Sequence, residues 1–174
     1  MVETTFKVEP KSRNDLRKTA KFIREKLKIK SPFFPIVEIL DSLTILDKTF
    51  NYAIEDDSEF EPGEHAYWEP VERTMHIRES VYNGACEGKG RDRMTIAHEV
   101  GHYILHTDQY PKMCRSISSG SIRAFESSEW QAKAFAAELL IPADIIDSSC
   151  SPEEIAEQCG VSLEAAILQL KHMM

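Results

Sequence analysis

The sequence predicts an α+β fold in which a short twisted sheet, antiparallel or mixed, lies beside two long helices and is followed by a small helical C-terminal lobe. Three observations lead to this prediction. A chain of 174 residues has the size of one domain. Apolar residues recur with helical spacing in several segments. Between those segments lie short runs that are rich in β-branched and aromatic residues, which favour strands.

The composition excludes several classes of protein. Hydrophobic residues make up 42% of the chain and charged residues 29%, with 7 Gly and 8 Pro, which excludes collagen-like, low-complexity and disordered chains. No apolar run approaches the roughly 18 residues that a membrane span needs, and the charged N-terminal stretch contains no secretory signal core. We therefore expect a cytoplasmic protein without membrane partners. The four cysteines, which form no CxxC pair and are expected to be reduced structural thiols, are Cys86, Cys114, Cys150 and Cys159.

The charge is negative overall and unevenly distributed. The net charge is −8, but residues 1–30 alone carry +6, so the rest of the chain carries −14. An acidic body is poorly suited to phosphate backbones, so we expect no direct nucleic-acid binding. The basic stretch is either a solvated helix face or an arm that contacts a partner.

The N-terminal part of the chain predicts two helices and a strand. Residues 12–29 form a helix because apolar side chains recur from Leu16 to Leu27 at spacings of three and four, and residues 1–30 are expected to pack on the body as a basic N-terminal unit. Pro35 begins a second helix that ends near residue 43. The β-branched and aromatic content of residues 43–52 predicts a strand.

The middle of the chain predicts a hairpin. Residues 56–64 are acidic and contain a Pro-Gly turn. Short strands over 65–68 and 74–77 follow, joined by a five-residue connection. Three glycines predict a loop over residues 84–90.

Two strong helices follow, and they complete a predicted core domain over residues 31–145. The first covers residues 91–106, with Asp92 as a suitable N-cap. The second covers residues 128–140 and opens with a capping-box pattern at Ser128.

The last part of the chain predicts two short helices, over residues 152–158 and 163–171, joined by a tight turn. The pattern resembles a helix-turn-helix core, but Lys171 is the one cation of its second helix, which is unfavourable for phosphate contact. We therefore interpret residues 146–174 as a small helical lobe that packs on the core or docks a partner protein.

An HExxH motif lies on the first of the strong helices. His98 and His102 are four residues apart, so both imidazoles lie on one face of the helix and can reach one zinc ion. Glu99, beside the first ligand, is placed to act as a general base. Gly101 would allow another element to approach the helix closely.

Two imidazoles leave a catalytic zinc site one protein ligand short. His106 lies about 12 Å along the helix from His98, so it is expected at the helix end or in contact with a ligand. On the second helix, Glu129 heads the stripe that faces the core, although it could also sit exposed in the first turn. Glu138 is predicted to point to solvent, and Glu126 precedes the helix. Glu129 is therefore the favoured third ligand.

The sequence motifs on these two helices resemble those of a known family. The matching residues are Ala97-His98-Glu99-Val100-Gly101-His102 with Leu105-His106, followed by Glu129-x-x-Ala132-x-x-Phe135-Ala136-Ala137-Glu138-Leu139-Leu140-Ile141-Pro142. This pattern resembles the ImmA/IrrE family of gluzincin-type metallopeptidases. The resemblance implies a zincin-like core, Zn²⁺ held by His98, His102 and Glu129, and Glu99 as the catalytic base. It also implies a partner, since family members cleave or inactivate helix-turn-helix repressors of mobile elements and stress responses.

These observations lead to two hypotheses of different classes. The first is a zinc endopeptidase that hydrolyses a peptide bond in an Xre-like helix-turn-helix repressor of a mobile element, stress response or toxin–antitoxin locus. The second is a non-proteolytic, antitoxin-like module that sequesters a regulator and has a structural or vestigial metal site. Glu99 argues against the second hypothesis, because a structural site has no use for it. Donors that could stabilise an oxyanion, among which the sequence does not choose, are Tyr67, His76, Tyr82 and Tyr103.

Overall fold

The computed structural model describes residues 5–109, 122–147 and 149–173. Cys114 and most of the predicted polar segment 107–127 lie outside them. In chain order the elements are α1 (Arg13–Lys26), α2 (Ile36–Leu46), β1 (Asn51–Glu55), β2 (Ala66–Glu69), β3 (Thr74–Arg78), α3 (Glu79–Cys86), α4 (Gly90–His106), α5 (Ser128–Leu140), α6 (Pro152–Cys159) and α7 (Leu163–Met173). The predicted α+β fold is confirmed, with a sheet beside the α4 and α5 helices.

The sheet is mixed. Its strand order is β1-β3-β2, with β1 parallel and β2 antiparallel to the central strand β3. The predicted hairpin is confirmed as the β2–β3 pair. Met75 and Ile77 of β3 are fully buried in the core, because alternate residues of a strand face the same side. Strand β2 packs beside α4, so the sheet lies next to the helix that carries the HExxH motif.

The predicted strand over residues 43–52 is wrong at its start. Helix α2 continues to Leu46, and β1 begins only at Asn51. Ile36, Ile39 and Leu40 anchor one face of α2 in the core, and the helix propagates from that anchor at little cost. Thr44 and Ile45, two of the β-branched residues that suggested a strand, are therefore helical.

The predicted loop over residues 84–90 is also shorter than expected. Helix α3 runs to Cys86 and includes Gly84, while α4 already begins at Gly90, so Asp92 lies in its first turn and is not the N-cap. A Cβ atom on Gly84 would meet the Asp92 carboxylate at 1.9 Å. This glycine therefore serves close packing between α3 and α4 and is not a helix breaker.

Helix α1 forms as predicted, and it ends at Lys26. Ser12 and Asp15 make a reciprocal capping box at its start, and Leu16 and Ala20 are buried where α1 packs on α5. Part of its positive charge points inward, because the buried Arg24 donates to the Leu139 carbonyl at 2.7 Å. The basic helix is therefore not simply a solvated face.

Glu138 does not point to solvent, and this prediction is wrong. Its side chain is 0% exposed, and it accepts from Arg13 Nε and Arg17 Nε of α1, both at 2.8 Å. Arg13 also donates to Gln169 of α7. Helix α1 covers the side of α5 that a helical wheel assigns to solvent, so α5 is buried on more than one face.

The start of α5 also differs from the prediction. Ser127 is the N-cap and accepts from the Trp130 amide at 3.2 Å. Ser128 is buried, and its hydroxyl accepts from the Phe6 amide at 2.9 Å. An isolated bridge pairs Lys7 with Ser127. The N-terminal segment is therefore attached to the first turn of α5.

The C-terminal helices α6 and α7 pack on the rest of the protein. Arg93 of α4 donates to the carbonyls of Gly160 and Phe34, both at 2.8 Å, and lies 3.9 Å from the centre of the Phe33 ring. Gly160 adopts a left-handed conformation with φ of 62° in the α6–α7 turn, which glycine tolerates best. The turn is thus bound to the helix that carries the HExxH motif.

One cluster of buried apolar side chains draws on all seven helices that the described residues form. The division into units 1–30, 31–145 and 146–174 stays a prediction. Within the described residues, no helix combines the length and apolar character that a membrane span requires.

Candidate metal centre

Three histidines follow one another along α4 at a spacing of four residues. The ring centroids of His98 and His102 are 4.7 Å apart, and those of His102 and His106 are 5.2 Å apart. Four residues in an α-helix exceed one turn by about 40°, so these imidazoles form one gently inclined row. The predicted presentation of His98 and His102 on a single helix face is confirmed.

Gly101 faces α5 and permits the close approach of the two helices. A Cβ atom at this position would lie 3.2 Å from the backbone Cα and carbonyl oxygen of Ala132 and from the ring of Phe135. Any larger residue would push the helices apart. The expected role of Gly101 is confirmed, and its consequence is that α5 comes within reach of the histidine row.

The close approach brings Glu129 to the two histidines of the motif. Its Oε2 lies 3.1 Å from His98 Nε2, and its Oε1 lies 3.0 Å from His102 Nε2. The two Nε2 atoms are themselves 3.0 Å apart. Metal–ligand bonds near 2.1 Å would separate the ligand atoms of a tetrahedral zinc site by about 3.4 Å. The three groups therefore stand within a few tenths of an ångström of a ligand set for one ion.

The electrostatics of Glu129 reflect these neighbours. Burial alone would raise the pKa of its carboxyl group, but hydrogen bonds with His102 and His98 outweigh burial and hold the pKa well below its ordinary value. Glu129 is therefore an anion, which is the form that ligates a metal.

The site reaches solvent. The side chains of His98, His102 and Glu129 are 16%, 15% and 18% exposed, so water can enter where they converge. Glu99 follows His98 directly on α4 and is 8% exposed. The proposed role of Glu99 as general base stays a prediction.

His106 lies behind His102, away from the convergence point. It is buried, its Nδ1 is 3.1 Å from His102 Nδ1, and its Nε2 is 3.2 Å from Gln131 Oε1. Burial and the neighbouring His102 lower the pKa of His106 to about 4, so it is neutral. The structure supports both expectations for His106, because it is the last residue of α4 and it also contacts the candidate ligand His102.

Gln131 is the residue that the sequence reasoning missed. It is completely buried on α5, two positions after Glu129. Ser128, Glu129 and Lys133 lie within three residues of it in the sequence, so no local pattern marks Gln131 as part of a buried hydrogen-bond network.

Two of the candidate oxyanion donors are engaged elsewhere. Tyr103 donates to Asp47 at 2.8 Å, and His76 Nδ1 lies 2.7 Å from Glu55. Tyr67 stacks on the His76 ring with centroids 4.6 Å apart. These contacts give Tyr103 and His76 structural roles.

Comparisons with known proteins agree with this architecture. A solved structure described as a Mycobacterium tuberculosis transcriptional regulator matches with a TM-score of 0.62 and 14% sequence identity, over 90% of this chain and 56% of that chain. At this identity the likeness concerns the fold. The chain spans little more than half the length of that protein. No curated protein matches the sequence significantly.

The sequence model of Peptidase M78, described as the IrrE N-terminal-like domain, matches residues 54–171. The match covers more than half of the chain and includes α4, α5 and the candidate metal ligands. It confirms the resemblance that the two motifs indicated. On the strength of this match, the chain belongs to the M78 peptidase family.

Proposed function

We propose that this protein is a zinc-dependent endopeptidase that hydrolyses a peptide bond in a partner protein. The observation that carries the proposal is the convergence of His98, His102 and Glu129, whose ligand atoms all lie within 4.8 Å of one another. Membership of a peptidase family supports the same reaction class.

The donor set suits zinc. Two neutral imidazole nitrogens and one carboxylate oxygen are the protein ligands of one recurring type of catalytic zinc site, which keeps a further position open for water or substrate. A zinc ion held there would polarise a carbonyl group and lower the pKa of water toward about 7. The exposure of all three side chains is consistent with an open position.

The chain itself supplies the proton transfers. Glu99 is proposed to accept a proton from the water that attacks the scissile carbonyl carbon. When the carbon–nitrogen bond breaks, its carboxyl group returns this proton to the departing amine. Because Glu99 adjoins His98 on α4, we propose that its carboxylate acts beside the ligand set without belonging to it.

We propose a helix-turn-helix repressor as the substrate. The family resemblance suggests this class of partner, and charge supports it. Residues outside the N-terminal 30 carry a net charge of −14, whereas DNA-binding domains present basic surfaces. Opposite charges steer two proteins together.

The test compares the wild-type protein with Glu99→Gln. Each purified protein is loaded with zinc and incubated with the helix-turn-helix protein encoded next to its gene, and fragments are identified by mass spectrometry. The variant should bind one zinc per chain as the wild type does, but cleavage should fall by at least about 100-fold, because the general base is lost. Glu87→Gln, in the exposed turn before α4, is the matched control and should cleave normally.

The outcomes separate the two hypotheses. Undiminished cleavage by Glu99→Gln would exclude Glu99 as the base. Tight binding of the repressor by wild-type protein without any cleavage would favour the non-proteolytic, antitoxin-like module.

A further inference from the structure

A chain of buried hydrogen bonds connects the candidate metal centre to the N-terminal segment. His102 Nδ1 lies 3.1 Å from His106 Nδ1, and His106 Nε2 lies 3.2 Å from Gln131 Oε1. Gln131 Nε2 then donates to the backbone carbonyls of Glu9 and Phe125, both at 2.8 Å. In each contact that involves a histidine, either atom could be the donor if the contact were isolated. The donor at Gln131 is fixed, however, because its Nε2 donates to two carbonyl oxygens.

Gln131 fixes the direction because its amide can face only one way. Two carbonyl oxygens stand against one end of the amide, and a carbonyl has no hydrogen to donate. Turning the amide over would leave its oxygen against the oxygens of Glu9 and Phe125, at the cost of two partly buried hydrogen bonds. Gln131 Oε1 therefore faces His106, and it can only accept.

The protons on both histidines follow from this anchor. A neutral His106 has one ring proton, and this proton must be on Nε2 in order to donate to Gln131, so Nδ1 of the neutral ring is a lone pair. That lone pair can only accept, so His102 must carry a proton on Nδ1. The other nitrogen, His102 Nε2, faces Glu129 and His98. It hydrogen-bonds to Glu129 in the metal-free site, and it is the atom whose lone pair would bind a metal in place of that hydrogen bond.

We propose that His106 and Gln131 are positioning residues that hold His102 in the ligating tautomer and orientation. The inference rests on the proposed function in one respect, namely that His102 binds the metal. Groups that hydrogen-bond to a ligating histidine orient its ring and raise its basicity, and losing such a partner weakens metal binding by about 10- to 100-fold.

The anchor lies outside the two helices that carry the ligands. The Glu9 carbonyl belongs to the segment before α1, and the Glu9 amide donates to Gln109 Oε1 at 2.8 Å. The segment is bound to the start of α5 by the Lys7–Ser127 bridge. We call the hydrogen bonds from His102 through His106 and Gln131 to Glu9 the relay. The family match begins at residue 54, so the relay extends the functional site to a part of the chain that this match does not include.

The first test measures the histidine tautomers directly. Long-range ¹H–¹⁵N correlation spectra of the wild-type protein are recorded at about pH 8, where imidazoles are neutral in general, without metal and with one zinc per chain. His106 should be protonated on Nε2 and not on Nδ1 in both spectra. Protonation of His106 on Nδ1 would overturn the proposal. The metal-free spectrum needs neither zinc nor substrate. It therefore tests the proposed hydrogen-bond directions even if the protein proves to have no peptidase activity.

The second test measures zinc affinity by competition with a chromophoric chelator. His106→Leu removes the acceptor and should weaken zinc binding by about 10- to 100-fold, whereas His106→Asn keeps an acceptor oxygen near the Nδ1 position and should stay within about threefold of the wild type. Circular dichroism shows whether each variant is folded. Wild-type affinity in His106→Leu, or equal losses in both variants, would overturn the proposal.

A second pair of variants covers the case in which His106→Leu does not fold. Gln131→Met removes the acceptor of the His106 proton and should weaken zinc binding by about tenfold. Gln169→Met is its matched control, because Gln169 is equally buried but bonds to Arg13 and the Ile141 carbonyl. Equal zinc affinities for these two variants would contradict the relay.

Discussion

Helix α5 carries two glutamates whose environments differ sharply. Glu129, in its first turn, is 18% exposed and lies against the imidazoles of His98 and His102. Glu138, in its last turn, is completely buried and lies against the guanidinium groups of Arg13 and Arg17. Helix α5 therefore carries one carboxylate that contacts imidazoles and one that contacts guanidinium groups.

The partners decide what each carboxylate can do. A guanidinium group keeps its proton at any physiological pH, so Arg13 and Arg17 are permanent cations beside Glu138. Arg13 also donates a hydrogen bond to Gln169 of α7. An imidazole nitrogen can give up its proton and bind a metal ion instead. His98 and His102, which lie against Glu129, can therefore bind a cation together with it. A partly buried glutamate beside histidines therefore indicates metal binding, whereas a fully buried glutamate beside arginines indicates a structural ion pair.

The largest expected effect is on metal binding at the Glu129 end. Glu129→Ala removes one of three proposed ligands, so zinc affinity should fall by more than about 100-fold. This exceeds the loss expected for a residue that only hydrogen-bonds to a ligand. Chelator competition measures the change. Glu138→Ala is the matched control and should leave the zinc dissociation constant unchanged. If both variants lost zinc equally, the two ends of α5 would not be distinct in function.

The next effect is on stability at the Glu138 end. Glu138→Ala leaves two guanidinium groups without their anion. Breaking a fully buried pair costs about 3–5 kcal/mol, and since Arg13 and Arg17 are 21% and 35% exposed, we expect a loss of about 2–3 kcal/mol. Urea denaturation of the metal-free protein measures the free energy of unfolding. A change below about 0.5 kcal/mol, as for ordinary surface sites, would show that the pair contributes no stability.

The smallest expected effect tests how the Glu129 end is assembled. Gly101→Ala places a methyl group 3.2 Å from the Ala132 backbone, so α4 and α5 must separate by a few tenths of an ångström. Metal sites tolerate about 0.2 Å in ligand distance, and we expect zinc affinity to fall by about tenfold. Thr95→Ala, on the same helix, removes a hydroxyl that bonds to the Arg91 carbonyl and should leave affinity unchanged. Unaltered binding by Gly101→Ala would mean that the close approach does not position Glu129.

Local patterns predicted the strongest elements well. The imidazoles of His98 and His102 share a face because residues four apart do so on any α-helix, and the hairpin followed from two strand-forming runs around a turn. The helical wheel placed Glu129 on the inner stripe of α5, and the structure brings it to the histidines.

Predictions from local patterns were wrong where contact with a further helix determined the environment of a residue. The wheel assigned Glu138 to solvent because it assumed that α5 is buried on one face, but α1 covers the other face. The glycine at position 84 suggested a loop, but its missing side chain makes room for Asp92. In the same way, Gln131 is one of several polar residues at the start of α5, and its role follows only from Glu9, Phe125 and His106 around it.

The amino-acid sequence alone is enough to predict the periodic features: which residues share a helix face, where the two motifs lie, and to which family the chain belongs. These depend on the geometry of the backbone, which is the same in every protein. The assembled fold is needed to show that Glu138 meets guanidinium groups instead of solvent, and in which direction the hydrogen bonds of Gln131 run. Those depend on contacts between residues more than 100 positions apart, such as Arg13 with Glu138 and Glu9 with Gln131, and no local pattern encodes such contacts.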